Sequence, residues 1–264
     1  MKKIVCLLIC VIACSWGDSA FGDVAIDEGG FPDETFRECV RAFDRNDDGV
    51  LSSLECMIVN VINVPNLNIS SLKGIEYFTS LVVLDCSGNH ITELDISHNR
   101  FLLGLSCEDN QLTELDMSKC SFVRELLCDN NDLTALDLSN NSALEILNCS
   151  YNRLTALDLS HNAAITWLDC GDNSLSTIDV SNNQALTYLA CNDNQLTELD
   201  VSMCSYLDEL YCYNNDLIAL DLSRNLALDA LNCSYNRLTA LDLSHNAAIT
   251  WLDCGDNSLS TIDV

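Results

Sequence analysis

Basic residues are scarce in this chain. The 264 residues include 12 Lys and Arg against 40 Asp and Glu, which gives a formal net charge of −28 at pH 7. A surface this negative repels the phosphates of nucleic acids and the headgroups of anionic lipids, whereas it favours cations and basic partners. We therefore expect no nucleic-acid partner.

Catalytic signatures are also missing. The sequence contains no nucleophile elbow, no phosphate-binding glycine loop and no metal-protease helix motif. Its four histidines all fall in expected turns, at His90, His98, His161 and His245. Carboxylates are abundant, but they recur at a fixed interval, which favours a structural role over acid–base catalysis. We expect a protein without enzymatic activity.

Long apolar runs are absent beyond the N-terminus, so we expect no transmembrane segment there. At the N-terminus, two lysines precede the apolar stretch 4–13, a pattern typical of a signal peptide. Two alternative cleavage sites fit this N-terminal sequence. Residues 11–14 resemble a bacterial lipobox, which would remove 1–13 and leave a lipidated Cys14 as a membrane anchor. Residues 20–22 instead suit ordinary cleavage of a 1–22 signal peptide. Either way we expect export, as a secreted protein or a cell-surface lipoprotein.

A short repeat dominates the rest of the chain. Cys recurs every 21 residues at 86, 107, 128, 149, 170, 191, 212, 233 and 254, and an Asn follows each Cys three places later. The pattern around each Cys is L-x-x-L-x-C-x-x-N-x-L, in which inward and outward positions alternate as in a β-strand. One such strand buries too little to fold, but copies stacked about 4.8 Å apart bury a continuous column of Leu and Cys. The period therefore predicts a solenoid.

The Asn of each repeat is expected where the chain turns out of the strand. Its side-chain amide can bond backbone groups that a tight bend leaves unpaired, and it can repeat that bond from rung to rung. The ladder cysteines are expected to be small buried thiols, because neighbouring rungs hold them slightly beyond bridging distance. No C-x-x-C pair indicates a metal site.

The repeat closely resembles the leucine-rich-repeat family, with Cys in place of the third Leu of its core pattern, over about residues 69–264. Each unit comprises two nested modules of ten and eleven residues, as in the bacterial 21-residue subtype of that family. The resemblance implies an all-β-rich leucine-rich-repeat solenoid with two parallel sheets, one per module, and a small α-helical N-terminal cap. We divide the chain into a cap (23–61), an irregular entry repeat (62–85) and the solenoid (86–264). The family's usual role, protein–protein interaction, is implied by the same resemblance.

A longer period is nested in the short one. Residues 147–180 and 231–264 are identical over 34 positions at an offset of 84, which is four repeats of 21. Residues 107–150 and 191–234 align at the same offset with scattered differences. A block of four repeats has been duplicated, which favours tolerance of repeat number.

Residues 44–55 fit the EF-hand loop pattern D-x-[DN]-x-[DN]-G-x-[ILV]-x-x-x-E at every position. The spacing predicts a Ca²⁺ site in which Gly49 permits the sharp turn and Ser52 acts through water. The expected direct ligands are Asp44, Asn46, Asp48, the Val50 carbonyl and Glu55. A hydrophilic turn between two capping helices is the alternative. Whether Cys39 and Cys56, on the flanking helices, form a disulfide stays open.

The two modules differ in how much they vary between repeats. The second presents an almost constant outward Asp, at 95, 116, 137, 158, 179, 200, 221, 242 and 263, which we interpret as a solvated ladder with cation attraction as the alternative. The outward residues of the first module vary and include aromatic rings, which are common interface anchors. Our candidate ligand-binding surface consists of Leu127, Ile146, Trp167, Tyr188, Tyr211 and Tyr213. These rings could instead merely shield the ladder edges.

From these patterns we expect an exported binding module for a protein or glycan ligand. The alternative is a purely structural, cation-responsive acidic surface protein without a specific partner. Membrane association is expected only through the possible lipid anchor.

Overall fold

The computed structural model describes residues 21–263. Residues 1–20, which include most of the predicted signal peptide and Cys14, lie outside the described residues, as does the terminal Val264. Among the described residues, no helix is long and apolar enough to cross a membrane.

A small cap opens the described chain. It contains helix α1 (Glu34–Val40), a 3₁₀ turn (Arg41–Phe43) and helix α2 (Ser53–Met57). Strand β1 (Val24–Ala25) pairs antiparallel with β2 (Val50–Leu51). The Asp33 carboxylate caps α1 by accepting the Phe36 N–H at 3.0 Å, and Phe31 and Phe36 are fully buried. The cap thus closes the first rungs of the core with aromatic side chains.

Ten parallel strands of three residues follow in one sheet. They are β3 (Val61–Asn63), β4 (Val83–Asp85), β5 (Gly104–Ser106), β6 (Glu125–Leu127), β7 (Ile146–Asn148), β8 (Trp167–Asp169), β9 (Tyr188–Ala190), β10 (Glu209–Tyr211), β11 (Ala230–Asn232) and β13 (Trp251–Asp253). The central residue is buried in every strand from β3 to β11, and equivalent residues of successive repeats are paired in register. The predicted parallel-sheet solenoid is confirmed, and the entry repeat supplies its first strands.

The second predicted sheet is present but short. Its strands are β12 (Ala240–Asp242) and β14 (Thr261–Asp263), which pair in parallel. In the earlier repeats of the described chain the second module forms no strand. One backbone bond at the start of the module joins neighbouring rungs there, as from the Gln111 N–H to the Ile91 carbonyl at 3.0 Å. Regular ladder bonding is therefore concentrated in the first module.

The ladder cysteines form part of the core, as predicted. From Cys86 to Cys233 they have no exposed surface, and every described cysteine is a free thiol. Burial raises their thiol pKa, for Cys191 to about 12. Cys39 and Cys56 are also unbonded, and burial raises the pKa of the Cys56 thiol to about 11. The thiols whose pKa is raised, from Cys39 to Cys233, are consequently poor nucleophiles at neutral pH.

The first-module asparagines bind the backbone of two rungs at once, as predicted. The Asn131 amide donates to the carbonyls of Cys107 (3.0 Å) and Cys128 (3.2 Å), and its oxygen accepts the Leu112 N–H at 2.9 Å. The side chain is therefore a staple between consecutive turns, and the sequence repeats it at every rung.

In a second asparagine ladder, only the N–H groups of the side-chain amide form hydrogen bonds. The Asn141 amide donates to the carbonyls of Met117 (3.3 Å) and Cys120 (2.9 Å), whereas its oxygen is buried without a partner. The same holds for Asn99, Asn162, Asn183, Asn225 and Asn246. At the equivalent position, the Cys120 thiol lies 3.7 Å from each of the two corresponding carbonyls. Cys fits this turn because the site requires a donor and no acceptor.

Candidate functional site

Four aromatic side chains from separate rungs form one strip on the outward face of the ten-stranded sheet. The rings of Trp167 and Tyr188 are stacked, with centroids 4.7 Å apart and an interplanar angle of 11°. Tyr188 and Tyr211 follow at 5.6 Å, and Tyr211 and Trp251 at 6.1 Å. We call these four residues the aromatic strip. Their contacts are within the range of favourable aromatic pairs.

The strip follows from the register of the sheet. Trp167 pairs directly with Tyr188, while the inward neighbours Leu168 and Leu189 pair in the core. The small Ala230 separates β10 from β13 on this face and leaves room for Tyr211 to reach Trp251. The strip rings on β8 to β10 are half-buried, and Trp251 is 47% exposed.

The other predicted binding residues lie around the strip. Ile146 is paired with Trp167 in register and is half-buried. Leu127 lies on β6, two strands before Trp167. Tyr213 follows β10 beyond a buried Cys and is half-buried. Of the candidate residues, the structure brings the rings of Trp167, Tyr188 and Tyr211 together. It adds Trp251, which our candidate set omitted although it is the copy of Trp167.

Two carboxylates border the strip. Asp169 lies two residues after Trp167 on the same outward face, where its carboxylate accepts the Gly171 N–H at 3.0 Å. Burial, with a smaller effect of nearby Asp129 and Asp172, raises the pKa of Asp169 to about 6. Glu209 pairs with Tyr188 in register and accepts a 2.8 Å hydrogen bond from the Tyr211 hydroxyl.

The surroundings of the strip also raise the pKa of its tyrosine hydroxyls. Burial, followed by the bond to Glu209, raises the pKa of Tyr211 to about 12. Burial raises the pKa of Tyr188 further, and the charge of Asp169 adds to the effect. Both hydroxyls are therefore neutral donors at physiological pH. The strip combines flat apolar surface, neutral hydroxyls and negative charge.

The predicted calcium loop makes a sharp turn at residues 47–49. Asp47 and Gly49 have positive φ of 58° and 80°, as the sharp turn requires. The Asp44 carboxylate accepts the Gly49 N–H at 2.8 Å, and Asp48 accepts the Val50 N–H at 2.9 Å. Residues 50–51 pair with β1, which braces the exit of the loop.

The closing carboxylate of that loop is engaged by protein groups. Glu55 is 8% exposed and accepts bonds from the Arg45 N–H (2.8 Å), the Ser52 N–H (2.9 Å) and the Ser52 hydroxyl (2.7 Å). The Ser52 hydroxyl contributes most to lowering its pKa. Between residues 21 and 263, no group of three or more His, Cys, Asp or Glu is arranged to hold a metal ion. The Ca²⁺ site stays a prediction, and Glu55 would have to give up its bonds to Arg45 and Ser52 to bind the ion.

The aspartate ladder of the second module caps its own turns. The Asp95 carboxylate accepts the Ser97 N–H at 2.9 Å, and the same bond recurs in the following repeats, as from Ser160 to Asp158 at 2.9 Å. The bonds with Ser160 lower the pKa of Asp158. The ladder has a structural role in each turn, consistent with our solvated interpretation.

Exposed apolar side chains also occur at one turn edge, which our sequence reasoning missed. Met203 (49% exposed) and Leu226 (59%) border a shallow depression beside Arg224, and Tyr206 (68%) is exposed three residues after Met203. Their signal in the sequence is the departure from the duplicate block, where Lys119, Phe122 and Ser142 stand at the equivalent positions.

This geometry defines a leucine-rich-repeat solenoid, and comparisons with known proteins agree. A leucine-rich-repeat family model matches residues 88–102. The functional domain of InlJ from Listeria monocytogenes, described as including a cysteine ladder, is 38% identical with a TM-score of 0.89. The match covers 93% of this chain and 55% of that one, so this chain spans about half the length of that structure.

Two further structures share the fold at lower identity. The internalin InlF from Listeria monocytogenes is 21% identical with a TM-score of 0.73, and covers 91% of this chain and 84% of its own. A leucine-rich-repeat protein of Leptospira interrogans is 22% identical with a TM-score of 0.72, and covers 80% and 58%. A search of curated proteins finds no match. Leucine-rich-repeat folds generally bind proteins and are generally not enzymes.

Proposed function

We propose that this chain is an exported binding module that recognises a protein partner through the outward face of its ten-stranded sheet. The observation that carries this proposal is the aromatic strip, in which four rings from β8, β9, β10 and β13 form one continuous surface. A strand that serves only the solenoid does not need such rings, whereas Trp and Tyr are the commonest interface anchors.

The internal duplication supports a selected surface. Tyr188, Tyr211 and Tyr213 stand where the first block has Gly104, Leu127 and Asp129. The inward Leu and Cys at the neighbouring positions are the same in both blocks. The two blocks therefore differ in the aromatic side chains of the outward face while their core is constant.

Partner capture by the immobilised chain tests this function against a panel of candidate surface proteins. The double variant Trp167→Ala, Tyr211→Ala should lose the partner, because each lost anchor costs about 2 kcal/mol or more of binding. Tyr206→Ala is the matched control, since Tyr206 is an exposed aromatic at a turn away from the strip. A partner that binds the double variant as tightly as the wild type would refute the proposal. Strip-dependent binding to a glycan array alone would replace the protein partner with a glycan.

Export rests on the N-terminal sequence. We propose that residues 1–22 are removed as a signal peptide, or 1–13 if Cys14 is lipidated. Mass analysis of the mature N-terminus from the native host distinguishes a lipidated Cys14 from a free Asp23, and an intact Met1 would contradict export by either route.

Calcium at the cap loop is a second proposal, and the positive φ of Asp47 and Gly49 favours it. Asp44, Asn46, Asp48, the Val50 carbonyl and Glu55 would hold the ion. Its role would be to brace the cap over the first rungs, in line with the alternative of a cation-responsive surface protein. Isothermal calorimetry with CaCl₂ is the direct measurement, and an absence of binding heat at millimolar Ca²⁺ would reduce the loop to a turn.

A further inference from the structure

The face that carries the aromatic strip is acidic and has no basic residue in its described strands. The outward positions of β6 to β11 and β13 include Glu125, Asp169, Glu209 and Asp253, and none of these positions is Lys or Arg. The four ion pairs found within residues 21–263 use other carboxylates, namely those of Glu38, Glu145, Asp132 and Asp216. The negative charge beside the strip is therefore not balanced by a cation of this part of the chain.

Two of these carboxylates lie next to strip residues in the sheet. Asp169 follows Trp167 by two residues on β8, and Glu209 is paired with Tyr188 on the neighbouring strand. Tyr188 therefore has a carboxylate on each of its two neighbouring strands, and the charge of Asp169 contributes to the raised pKa of its hydroxyl. Glu209 holds the Tyr211 hydroxyl at 2.8 Å and so fixes the orientation of that ring.

Aromatic faces and carboxylates attract the same ligand group. The π-face of Trp or Tyr is negative and binds Lys and Arg cations within about 6 Å of the ring centroid. A planar guanidinium can stack on such a ring while it donates to a neighbouring carboxylate. A face of rings and carboxylates without cations is thus complementary to basic side chains.

We propose that the partner presents a basic protein segment whose Lys or Arg side chains lie on the aromatic strip beside Asp169 and Glu209. This inference rests on the proposed function, because it names the partner's chemistry for the same face. The net charge of −28 also favours a basic partner, because it steers such a partner toward the protein before contact.

A fluorescent decapeptide of alternating Arg and Gly is the probe, with the same peptide carrying Gln in place of Arg as its reference. Fluorescence anisotropy at pH 7.5 and physiological ionic strength measures the affinity. We expect the Arg peptide to bind at least about tenfold more tightly than the Gln peptide. Trp167→Ala and Asp169→Asn should each weaken binding of the Arg peptide about fivefold or more.

Matched controls separate the strip from net charge. Asp158→Asn removes one exposed carboxylate from the second module, and Tyr206→Ala removes one exposed aromatic ring from a turn. Both should change the affinity by less than about twofold, because neither residue lies in a strand of the face that carries the strip. An equal loss in Asp158→Asn and Asp169→Asn would overturn the proposal in favour of general charge attraction. Unchanged binding by Trp167→Ala would overturn the role of the rings.

The captured partner distinguishes this inference from the function on which it rests. A partner that depends on Trp167 and Tyr211 but is insensitive to Asp169→Asn and to added salt would keep the proposed function and refute the basic segment. A partner insensitive to the strip variants would refute both. Far-ultraviolet circular dichroism of each variant confirms that the solenoid is folded in every comparison.

Discussion

Trp167 and Tyr188 stack almost face to face with ring centroids 4.7 Å apart, although 21 residues separate them in the chain. Both residues are outward neighbours of fully buried leucines, Leu168 and Leu189. The solenoid thus converts a sequence period into a side-chain stack, because strand pairing places equivalent residues beside each other. A functional surface can be built on such a scaffold by changing outward residues alone.

Changing the outward ring should cost far less stability than changing its inward neighbour. Trp167→Ala should lose about 1 kcal/mol of unfolding free energy, mainly from the lost stack with Tyr188. Leu168→Ala should lose about 2–5 kcal/mol, because Leu168 is completely buried and truncation leaves a cavity. Urea unfolding followed by circular dichroism gives both values. Equal losses in the two variants would mean that the faces are assigned the wrong way round.

Asp169 should make stability fall as pH rises. Its pKa is raised to about 6 from an ordinary value of 3.8, so the folded state favours the protonated carboxyl. The resulting stabilisation is complete below about pH 4 and is lost as pH rises through about 6. Asp169→Asn should therefore stabilise the protein by about 2 kcal/mol at pH 7.5 and by little at pH 4.

The measurement for Asp169 is a series of urea unfolding curves from pH 4 to 8 on the wild type and on Asp169→Asn. Asp158→Asn is the control, because the pKa of Asp158 is lowered rather than raised. Its difference from the wild type should not grow with pH above about 5. A constant difference between Asp169→Asn and the wild type across this range would show that Asp169 titrates normally.

Calcium should stabilise the cap if the loop binds it. A ligand that binds only the folded state adds about 2.7 kcal/mol at a hundredfold excess over Kd. Glu55→Gln removes the charged closing ligand but keeps a residue able to complete the capping box with Ser52, so α2 should remain capped. Asp47→Asn is the control, since Asp47 is not among the expected ligands.

The measurement for calcium is the melting temperature with millimolar CaCl₂ or with EDTA. The wild type and Asp47→Asn should shift, and Glu55→Gln should not. A shift that survives in Glu55→Gln would move the cation to the aspartate ladder, and an unshifted wild type would leave the loop as a turn.

Most of the fold could be predicted from the period of the repeat. Because Leu147 and Cys149 recur in phase with Asn152, the sequence alone predicted the sheet, its register, the buried thiols and the asparagine staples. The strength of the second sheet was not predictable in this way, since an L-D-L pattern specifies an extended chain without saying whether its backbone groups pair between rungs. The candidate site could be predicted only in part. Alternation identified the outward faces, but contact between Tyr211 and Trp251 depends on the small Ala230 between their strands.

The second asparagine ladder gives a sharp test of donor and acceptor roles. The buried Asn162 amide donates to the carbonyls of Leu138 (3.1 Å) and Asn141 (2.9 Å), and its oxygen has no partner. Asn162→Cys keeps a donor, as Cys120 does, and should cost about 1–2 kcal/mol. Asn162→Asp has the same shape but places a carboxylate against two carbonyl oxygens, and should cost more than about 3 kcal/mol at pH 7.

Lowering the pH should partly rescue the Asn162→Asp variant, because a protonated carboxyl regains one donor. The stability of Asn162→Asp should therefore rise relative to the wild type as pH falls toward 4, whereas that of Asn162→Cys should follow the wild type. Urea unfolding at pH 7 and pH 4 provides the comparison. If Asn162→Asp were tolerated at pH 7 as well as Asn162→Cys, the turn would not depend on a donor, and the occurrence of Cys120 in this ladder would need another cause.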